Sequence, residues 1–296
     1  MKKENYIIGG GLTGLLCAYY LKDYKLISKQ QNLGGQLKSS FQLGPRFVRH
    51  NKHLIRLLND LKIKFKTKII RTGYYDGEHI LDKMNYHLAR KYALTTHNSK
   101  LVSENFMNDG LTEMEVLDFK MKDLIKLLTA KVKNRIINAN VVSTNNYTRL
   151  LLLSNNKKLQ YNKLISTIHY INLCSLLGKL DNVKCKDIYF YYTKKAPIKF
   201  DKNKFSFIYC ITRNLPFNRI TVCKDYFVLE STDELTATEK KYYKITQTEC
   251  LKNCKINNMY ELIKFKNITP VGRYATLDNE KRIHTVIDDI VKLKLQ

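Results

Sequence analysis

Tyr6-Ile7-Ile8-Gly9-Gly10-Gly11-Leu12-Thr13-Gly14-Leu15-Leu16 is the stretch whose reading decides the fold. A short apolar run ends in glycines. Leu15, Leu16, Ala18, Tyr19 and Leu21 then recur at helical spacing, before a second apolar pair at Leu26-Ile27. The pattern reads as strand, glycine turn, helix, strand. Gly9, Gly11 and Gly14 hold the G-x-G-x-x-G positions: the first permits the tight turn, the second lets backbone approach a pyrophosphate, and the third lets helix and strand pack closely. The free N–H groups opening the helix, at Leu12 and Thr13, face the phosphates. Such domains place an acidic residue about twenty positions on, where it holds the ribose. Here that place falls to Ser28 and Lys29, so a hydroxyl stands where a carboxylate is usual and the bond lacks the strengthening of a charge.

Working outward, the 296 residues carry 44% hydrophobic and 11% aromatic side chains with 12 Gly and 4 Pro, a globular composition that excludes disordered and collagen-like classes. The length suits one large or two intimate domains, burying about three quarters of the unfolded chain's surface. No apolar run approaches the roughly 20 residues that cross a bilayer, and the opening MKKENYIIGG has no secretory h-region, so a cytoplasmic protein is expected. The seven cysteines form no C-x-x-C pair, which argues against a disulfide framework or a zinc ribbon. Cys250 and Cys254 read as one turn apart in a helix expected over Asp233 to Cys254, with no further ligand nearby. The histidines show no H-x-x-x-H spacing, so no metal is expected. Neither a Gly-x-Ser-x-Gly elbow nor a P-loop is present, which excludes the common hydrolase and kinase patterns.

The charge asks for a partner. With 52 Lys+Arg against 26 Asp+Glu, the net charge is +26, and such a surface attracts nucleic acid, anionic lipid or phosphorylated substrates. Richness in Lys, Asn, Ile, Leu and Tyr together reads as coding bias toward A and T, which accounts for many lysines but not for so few acids. The cations are spread along the chain, as in Leu61 to Arg71 and Lys194 to Lys204, without the aromatic-basic signature of an RNA module.

Shortly after the second strand comes Asn32-Leu33-Gly34-Gly35-Gln36-Leu37-Lys38. A glycine fingerprint followed by such a Gly-Gly pair resembles the flavoprotein superfamily of amine oxidases, protoporphyrinogen oxidases, phytoene desaturases and UDP-galactopyranose mutases. That superfamily has G-G-R here; Gln36 replaces the arginine, with Lys38 as a substitute cation. Phe41 to Phe47, followed by a helix over Lys52 to Leu61, is similar to the family's segment beneath the flavin ring. Phe119 to Ala130 reads as an amphipathic helix and Ile136 to Val142 as a strand, with a hairpin through Leu150-Leu153 and Leu159-Ile168. These resemble the family's helix, the strand whose valine, here Val142, touches the adenine side, and the strand ending in a vIsTiP motif. That motif stands as Leu164-Ile165-Ser166-Thr167-Ile168-His169, so Thr167 backbone approaches the cofactor and His169 opens a helix near Tyr170. Ile268-Thr269-Pro270-Val271-Gly272-Arg273-Tyr274-Ala275, then an amphipathic helix over Asn279 to Leu293, resembles the family's last segment, whose glycine and helix lie against pyrophosphate and flavin.

The resemblance implies an α/β fold, a Rossmann-like FAD-binding domain with a central parallel sheet joined to a smaller mixed α+β substrate domain. Residues 1–70, 111–170 and 265–296 would form the first, and 71–110 with 171–264 the second. FAD is the implied cofactor, held by Gly9, Gly11, Leu12, Thr13, Gly14, Ser28, Lys29, Gly34, Gly35, Gln36, Leu37, Val142, Thr167, Gly272 and Arg273. On the substrate side, Arg46 can hold a carboxylate or phosphate bidentately, His50 can exchange a proton near neutral pH, and Tyr274 can touch flavin or substrate. Tyr74-Tyr75 and Tyr189 to Tyr192 offer rings for an amine cage, although strand alternation puts only half of them on one face and core packing is the default. The implied activity is hydride transfer from a small or tethered substrate to flavin, as in amine oxidases. Two alternatives stay open: a redox-neutral mutase acting on a nucleotide sugar, and a flavoprotein that acts on or binds nucleic acid.

Overall fold

The computed structural model describes residues 3–38, 48–96, 113–179, 183, 185–256, 263–278 and 281–295. β1 (Glu4–Ile8), α1 (Leu12–Tyr20) and β2 (Tyr24–Ser28) form the expected strand-helix-strand unit, with β2 parallel to β1. Next come β3 (Val48–Arg49), α2 (Lys52–Asp60), β4 (Lys66–Tyr75), β5 (Ile80–Leu81), α3 (Tyr86–Thr96) and β6 (Glu113–Asp118). α4 (Met121–Val132), β7 (Ile136–Asn138), β8 (Val141–Asn145), β9 (Leu150–Leu153), β10 (Lys158–Ser166) and α5 (Tyr170–Leu176) return the chain to the first sheet. β11 (Cys185–Thr193), β12 (Phe207–Cys210), β13 (Arg219–Val222), β14 (Phe227–Ser231), α6 (Ala237–Tyr242), β15 (Gln247–Ile256), β16 (Ile268–Pro270) and α7 (Ile283–Lys294) complete the order.

The first sheet runs β7-β2-β1-β10, with β16 on the far side of β10, and every pairing among these five strands is parallel. β9 and β8 extend it as an antiparallel meander from the N-terminal half of β10. A parallel sheet must be covered on both faces, and β1 shows how. Ile7, fully buried, packs with Leu15, Leu54, Leu128 and Ile287 of α1, α2, α4 and α7, while Tyr6 and Ile8 point to the opposite face with Leu151, Tyr161, Tyr170 and Leu173. Each such aliphatic side chain contributes about 1.5–3 kcal/mol by leaving water.

Arg135, just beyond α4, closes the C-terminus of α1. Its Nη1 donates to the carbonyls of Leu21, Lys22 and Tyr24 at 3.1, 3.1 and 2.9 Å, and its Nη2 to that of Ala18 at 2.6 Å. The charge satisfies carbonyls that a helix end leaves without partners and opposes the helix dipole. Arg135→Ala is therefore expected to destabilise the protein by about 2–3 kcal/mol, the worth of charged hydrogen bonds at a half-buried helix end. A urea-unfolding midpoint unchanged by the substitution would contradict this.

α2 begins at Asn51, whose Oδ1 accepts from the N–H groups of His53 and Leu54 at 2.9 and 3.1 Å, while its Nδ2 donates to the Asp288 carboxylate of α7 at 3.0 Å. One side chain thus caps one helix and ties it to another. Loss of such a cap costs about 1 kcal/mol, and Asn51→Ala is expected to exceed that because Asp288 loses its donor as well.

The second sheet runs β15-β11-β14-β13-β12-β4-β6-β3, with β5 beside β4, and is antiparallel except where β12 meets β4. Period-two alternation sorts its side chains. Tyr191, Ile208, Ile220, Phe227 and Leu229 share one face, and Phe190, Tyr192 and Val228 the other. Tyr74, Tyr191 and Tyr192 are at most 2% exposed, so these rings are core. The helix expected over Asp233 to Cys254 is corrected: α6 ends by Tyr242, Lys244 turns the chain with φ of 53°, and Gln247–Ile256 is strand β15. The β-branched Thr246 and Thr248 and the long pairing with β11 outweigh the local helical pattern. Cys250 and Cys254 therefore sit on a strand, not one helical turn apart. The boundary expected at 70/71 falls within β4, and β3 and β6 belong to this second sheet too. No helix among the described residues is long and apolar enough to cross a membrane.

Candidate dinucleotide-binding edge

All five parallel strands end at one edge of the first sheet, the edge where open α/β sheets bind ligands. The turn after β1 is fixed from both sides. The Gly9 N–H donates to the Ile27 carbonyl at 3.0 Å, and the Thr167 N–H, at the end of β10, donates to the Ile8 carbonyl at 2.9 Å. The Thr167 hydroxyl lies 3.0 and 3.1 Å from the carbonyls of Ile8 and Gly9. Gly9 has φ of 115°, and a Cβ there would lie 2.5 Å from that hydroxyl.

The other glycines of the motif meet different demands. At Gly14 a Cβ would sit 1.9 Å from the Gly9 carbonyl oxygen, so α1 packs against the turn at a distance only glycine allows. At Gly10, a residue the sequence reading passed over, a Cβ would come 2.2 Å from Ser28 Oγ; the third consecutive glycine was the signal. Gly11 differs from both. Its φ of −73° suits any residue, and a Cβ would meet nothing within 4 Å. Gly11 is also the N-cap of α1, whose first turn has no side-chain cap and no acidic residue. The helix thus opens with uncapped N–H groups toward space kept clear in front of Gly11, which is what a pyrophosphate needs.

The second glycine motif lies directly on the first. The Gly34 N–H donates to the Gly10 carbonyl at 2.8 Å, Gly11 and Gly34 form an isolated parallel bridge, and a Cβ on Gly35 would come 3.1 Å from Gly11 Cα. Ile125 of α4 backs Gly34, and Leu37 packs partly into the first core. Gly272, with φ of 94°, leaves no room for a Cβ against Thr13, which would stand 2.8 Å away. The next residues join the motifs: the Tyr274 hydroxyl donates to Gln36 Oε1 at 3.0 Å, the Arg273 guanidinium lies 5.9 Å from the Tyr274 ring centroid, and His169 stacks on that ring at 5.9 Å. His169 is the N-cap of α5, its Nδ1 accepting the Ile171 N–H at 3.2 Å. Gln36, which replaces an arginine of the resembled pattern, is thus held by Tyr274 from the far end of the chain. Tyr274→Phe removes the exposed hydrogen bond to Gln36 and is expected to change stability by less than about 1 kcal/mol while weakening retention of a dinucleotide at this edge, measurable by parallel melting and dinucleotide titration.

Other expected residues lie elsewhere. Ser28 is 3% exposed, and its hydroxyl is engaged with the backbone of Gln30, so it shapes the strand end beside an exposed Lys29. The strand expected through Val142 breaks at Ala139 and Asn140. The Ala139 N–H still bonds the Ser28 carbonyl at 3.0 Å, but Val142 lies beyond the break, at a register shift in β8, with 51% exposure. The chain leaves the parallel sheet at Ala139, so Asn138 and Ala139 are the residues that end beside Ser28. Arg46 lies outside the described residues. His50 lies 3.8 Å from the Glu115 carboxylate of β6, on the second sheet. Among the described residues, no group of three or more His, Cys, Asp or Glu side chains could hold a metal.

The second sheet carries one further charged feature. Arg219 and Glu230 face each other across β13 and β14 as an ion pair, 21% and 18% exposed. Arg219 lies 5.9 Å from the Tyr209 ring centroid, and Tyr209 in turn stacks on Tyr74 and meets Tyr92 of α3 edge-on. Burial pulls the Arg219 pKa down, but the charge and hydrogen bond of Glu230 together with Tyr209 and Tyr92 outweigh it, so the pKa is raised and the guanidinium stays charged.

Residues 7–61 match the NAD(P)-binding Rossmann-like domain family. No curated protein sequence matches the chain. Among solved structures, reduced UDP-galactopyranose mutase is similar over 100% of this chain and 95% of its own, at 12% identity and a TM-score of 0.67. Cyclohexylamine oxidase from Brevibacterium oxydans is similar over 100% and 98%, at 8% identity and a TM-score of 0.66. Wild-type putrescine oxidase bound to putrescine is similar over 99% of each chain, at 12% identity and a TM-score of 0.60. The chain therefore has the α/β fold shared by these amine oxidases and UDP-galactopyranose mutase, with a Rossmann-like dinucleotide-binding domain at its start.

Proposed function

We propose that this protein is an FAD-dependent oxidoreductase of the amine oxidase type. The observation that carries the reading is the cleared, uncapped helix start at Gly11, closed on one side by Gly34-Gly35 and on the other by Thr13 against Gly272. Gly9 to Gly14 would hold the pyrophosphate through backbone N–H groups, with Ser28 shaping the strand end where the adenosine ribose lies. Gln36, Thr167, Arg273 and Tyr274 would border the flavin half. FAD, once bound, supplies the hydride-accepting chemistry that no side chain of this protein can. The chain's own contribution is to bind, to orient and to exclude water. The first sheet with its helices is read as the cofactor half, and the second sheet as the half that receives a small-molecule substrate.

The test is anaerobic mixing of FAD-loaded protein with primary amines, diamines and amino acids. Bleaching of the flavin bands by one of these, reversed by air, is the expected result. Turnover of a nucleotide sugar only after chemical reduction of the flavin would replace this reading with the mutase one, the alternative that the likeness to UDP-galactopyranose mutase keeps in view.

A further inference from the structure

Two lysine-rich segments separated in sequence come together on the face of the second sheet that carries Tyr191, Phe227 and Leu229. The stretch 194–204 lays Ala196, Ile198 and Phe200 onto the buried cluster of Tyr191, Phe227, Leu235 and Tyr243, and α6 with the turn after it covers the same cluster. Lys194, Lys195, Lys199, Lys202, Lys241 and Lys244 are all exposed, and none has a carboxylate within ion-pair distance among the described residues. Acids near these lysines are engaged with other groups: Glu234 with Lys240 at 2.8 Å, Asp82 with Lys204 at 3.3 Å, the Glu239 carboxylate with the Thr236 N–H and hydroxyl in the cap of α6, and Asp201 with the Asn203 N–H at 2.8 Å.

Aromatic rings hold these cations in place. Lys195 Nζ lies 4.6 Å from the Tyr242 ring centroid and donates to the Tyr242 carbonyl at 3.4 Å, and Lys202 Nζ lies 4.9 Å from the Phe227 ring centroid. Tyr242 itself is 65% exposed, with its ring set edge-on to Tyr243 at 4.9 Å. We propose that this face, lysines 194–202 and 241–244 around the Tyr242 ring, binds single-stranded nucleic acid. The lysines would take the phosphates, and Tyr242 offers a flat surface for one base. A membrane is the poorer fit, because among the described residues Tyr242 is the one large apolar side chain that stands well exposed on this face. The inference is independent of the flavin and of the substrate.

The test is fluorescence anisotropy with a labelled 12-nucleotide oligo-dT and the full-length protein at several salt concentrations. About four phosphate contacts predict a log–log salt slope near −3, or roughly 50-fold weaker binding between about 50 and 200 mM salt. Lys199→Glu with Lys241→Glu is expected to cut that slope to about half or less. Tyr242→Ala is expected to weaken binding by about 5- to 100-fold with the slope kept. Lys157→Glu with Lys163→Glu, exposed positions in the β9–β10 turn and on β10, makes the same change in net charge and is the control. Equal loss in the two double variants, or an unchanged affinity in Tyr242→Ala, would overturn the proposal, since overall charge would then explain the binding. Binding to anionic phosphatidylserine vesicles in preference to the oligonucleotide would overturn it in favour of a membrane surface.

Discussion

Gly11→Ala is expected to leave the fold intact and to abolish FAD retention, whereas Gly14→Ala three residues on is expected to damage the fold itself. The contrast follows from where each new methyl group would go. At Gly14 it would stand 1.9 Å from the Gly9 carbonyl oxygen, a backbone atom pinned in place by the Thr167 hydroxyl and by the sheet, so α1 must move away from β1. Overpacking of this kind costs about 1–3 kcal/mol, and the upper end is expected where backbone meets backbone. At Gly11 the methyl group meets nothing within 4 Å and the backbone angle is ordinary, so unfolding should shift by no more than about 1 kcal/mol, the difference between glycine and alanine at an N-cap. The same methyl group occupies the space assigned to the pyrophosphate. Forfeiting about 1–3 kcal/mol of backbone hydrogen bonding there means about 5- to 150-fold weaker FAD binding. Urea unfolding of the flavin-free proteins and flavin titration separate the two effects cleanly.

The second large effect is expected at Glu230. Glu230→Ala leaves the Arg219 guanidinium charged, about four-fifths buried and without its counter-ion, over the Tyr209 ring that Tyr74 and Tyr92 flank. Breaking a buried pair from one side costs about 3–5 kcal/mol because the remaining charge has lost its compensation. Replacing both partners, as Arg219→Met with Glu230→Leu, is expected to restore most of that loss, since well-packed apolar residues often match a buried ion pair in stability. The direction of the pH effect follows from the same pair. Glu230, with Tyr209 and Tyr92, holds the Arg219 proton more tightly in the folded state, so this proton-linked contribution is lost in strong alkali, as pH rises through the raised pKa. A double variant as unstable as the single one would show that the loss comes from packing rather than charge.

Much of the first sheet was legible because its signals are local. Three glycines between an apolar run and a helical period name the turn, and the amphipathic pattern of Ile283, Val286, Ile287 and Ile290 places α7 over its core. The second glycine motif was legible by resemblance, and its seating against Gly11 is what the structure adds. Long-range pairing was not legible. Gln247 to Ile256 carries lysines and a helix-like spacing, and only the register with the aromatic strand β11 makes it a strand. Val142 was misplaced because the break at Ala139-Asn140 depends on Ala139 bonding to Ser28, a contact between distant segments. Gly10 and the link from Tyr274 to Gln36 were missed for the same reason: each depends on a neighbour remote in sequence. The lysines at 194–204 and 240–244 read as scattered charge until the fold set them side by side.

The most direct test of the central claim, that the edge at Gly9–Gly14 is a built FAD site, is the visible absorption spectrum of the purified protein after incubation with FAD and desalting, run beside Gly11→Ala. The account predicts a two-band flavin spectrum retained by the wild-type protein and lost by the variant, with both proteins folded. Retention of flavin by neither protein, or equally by both, would contradict it.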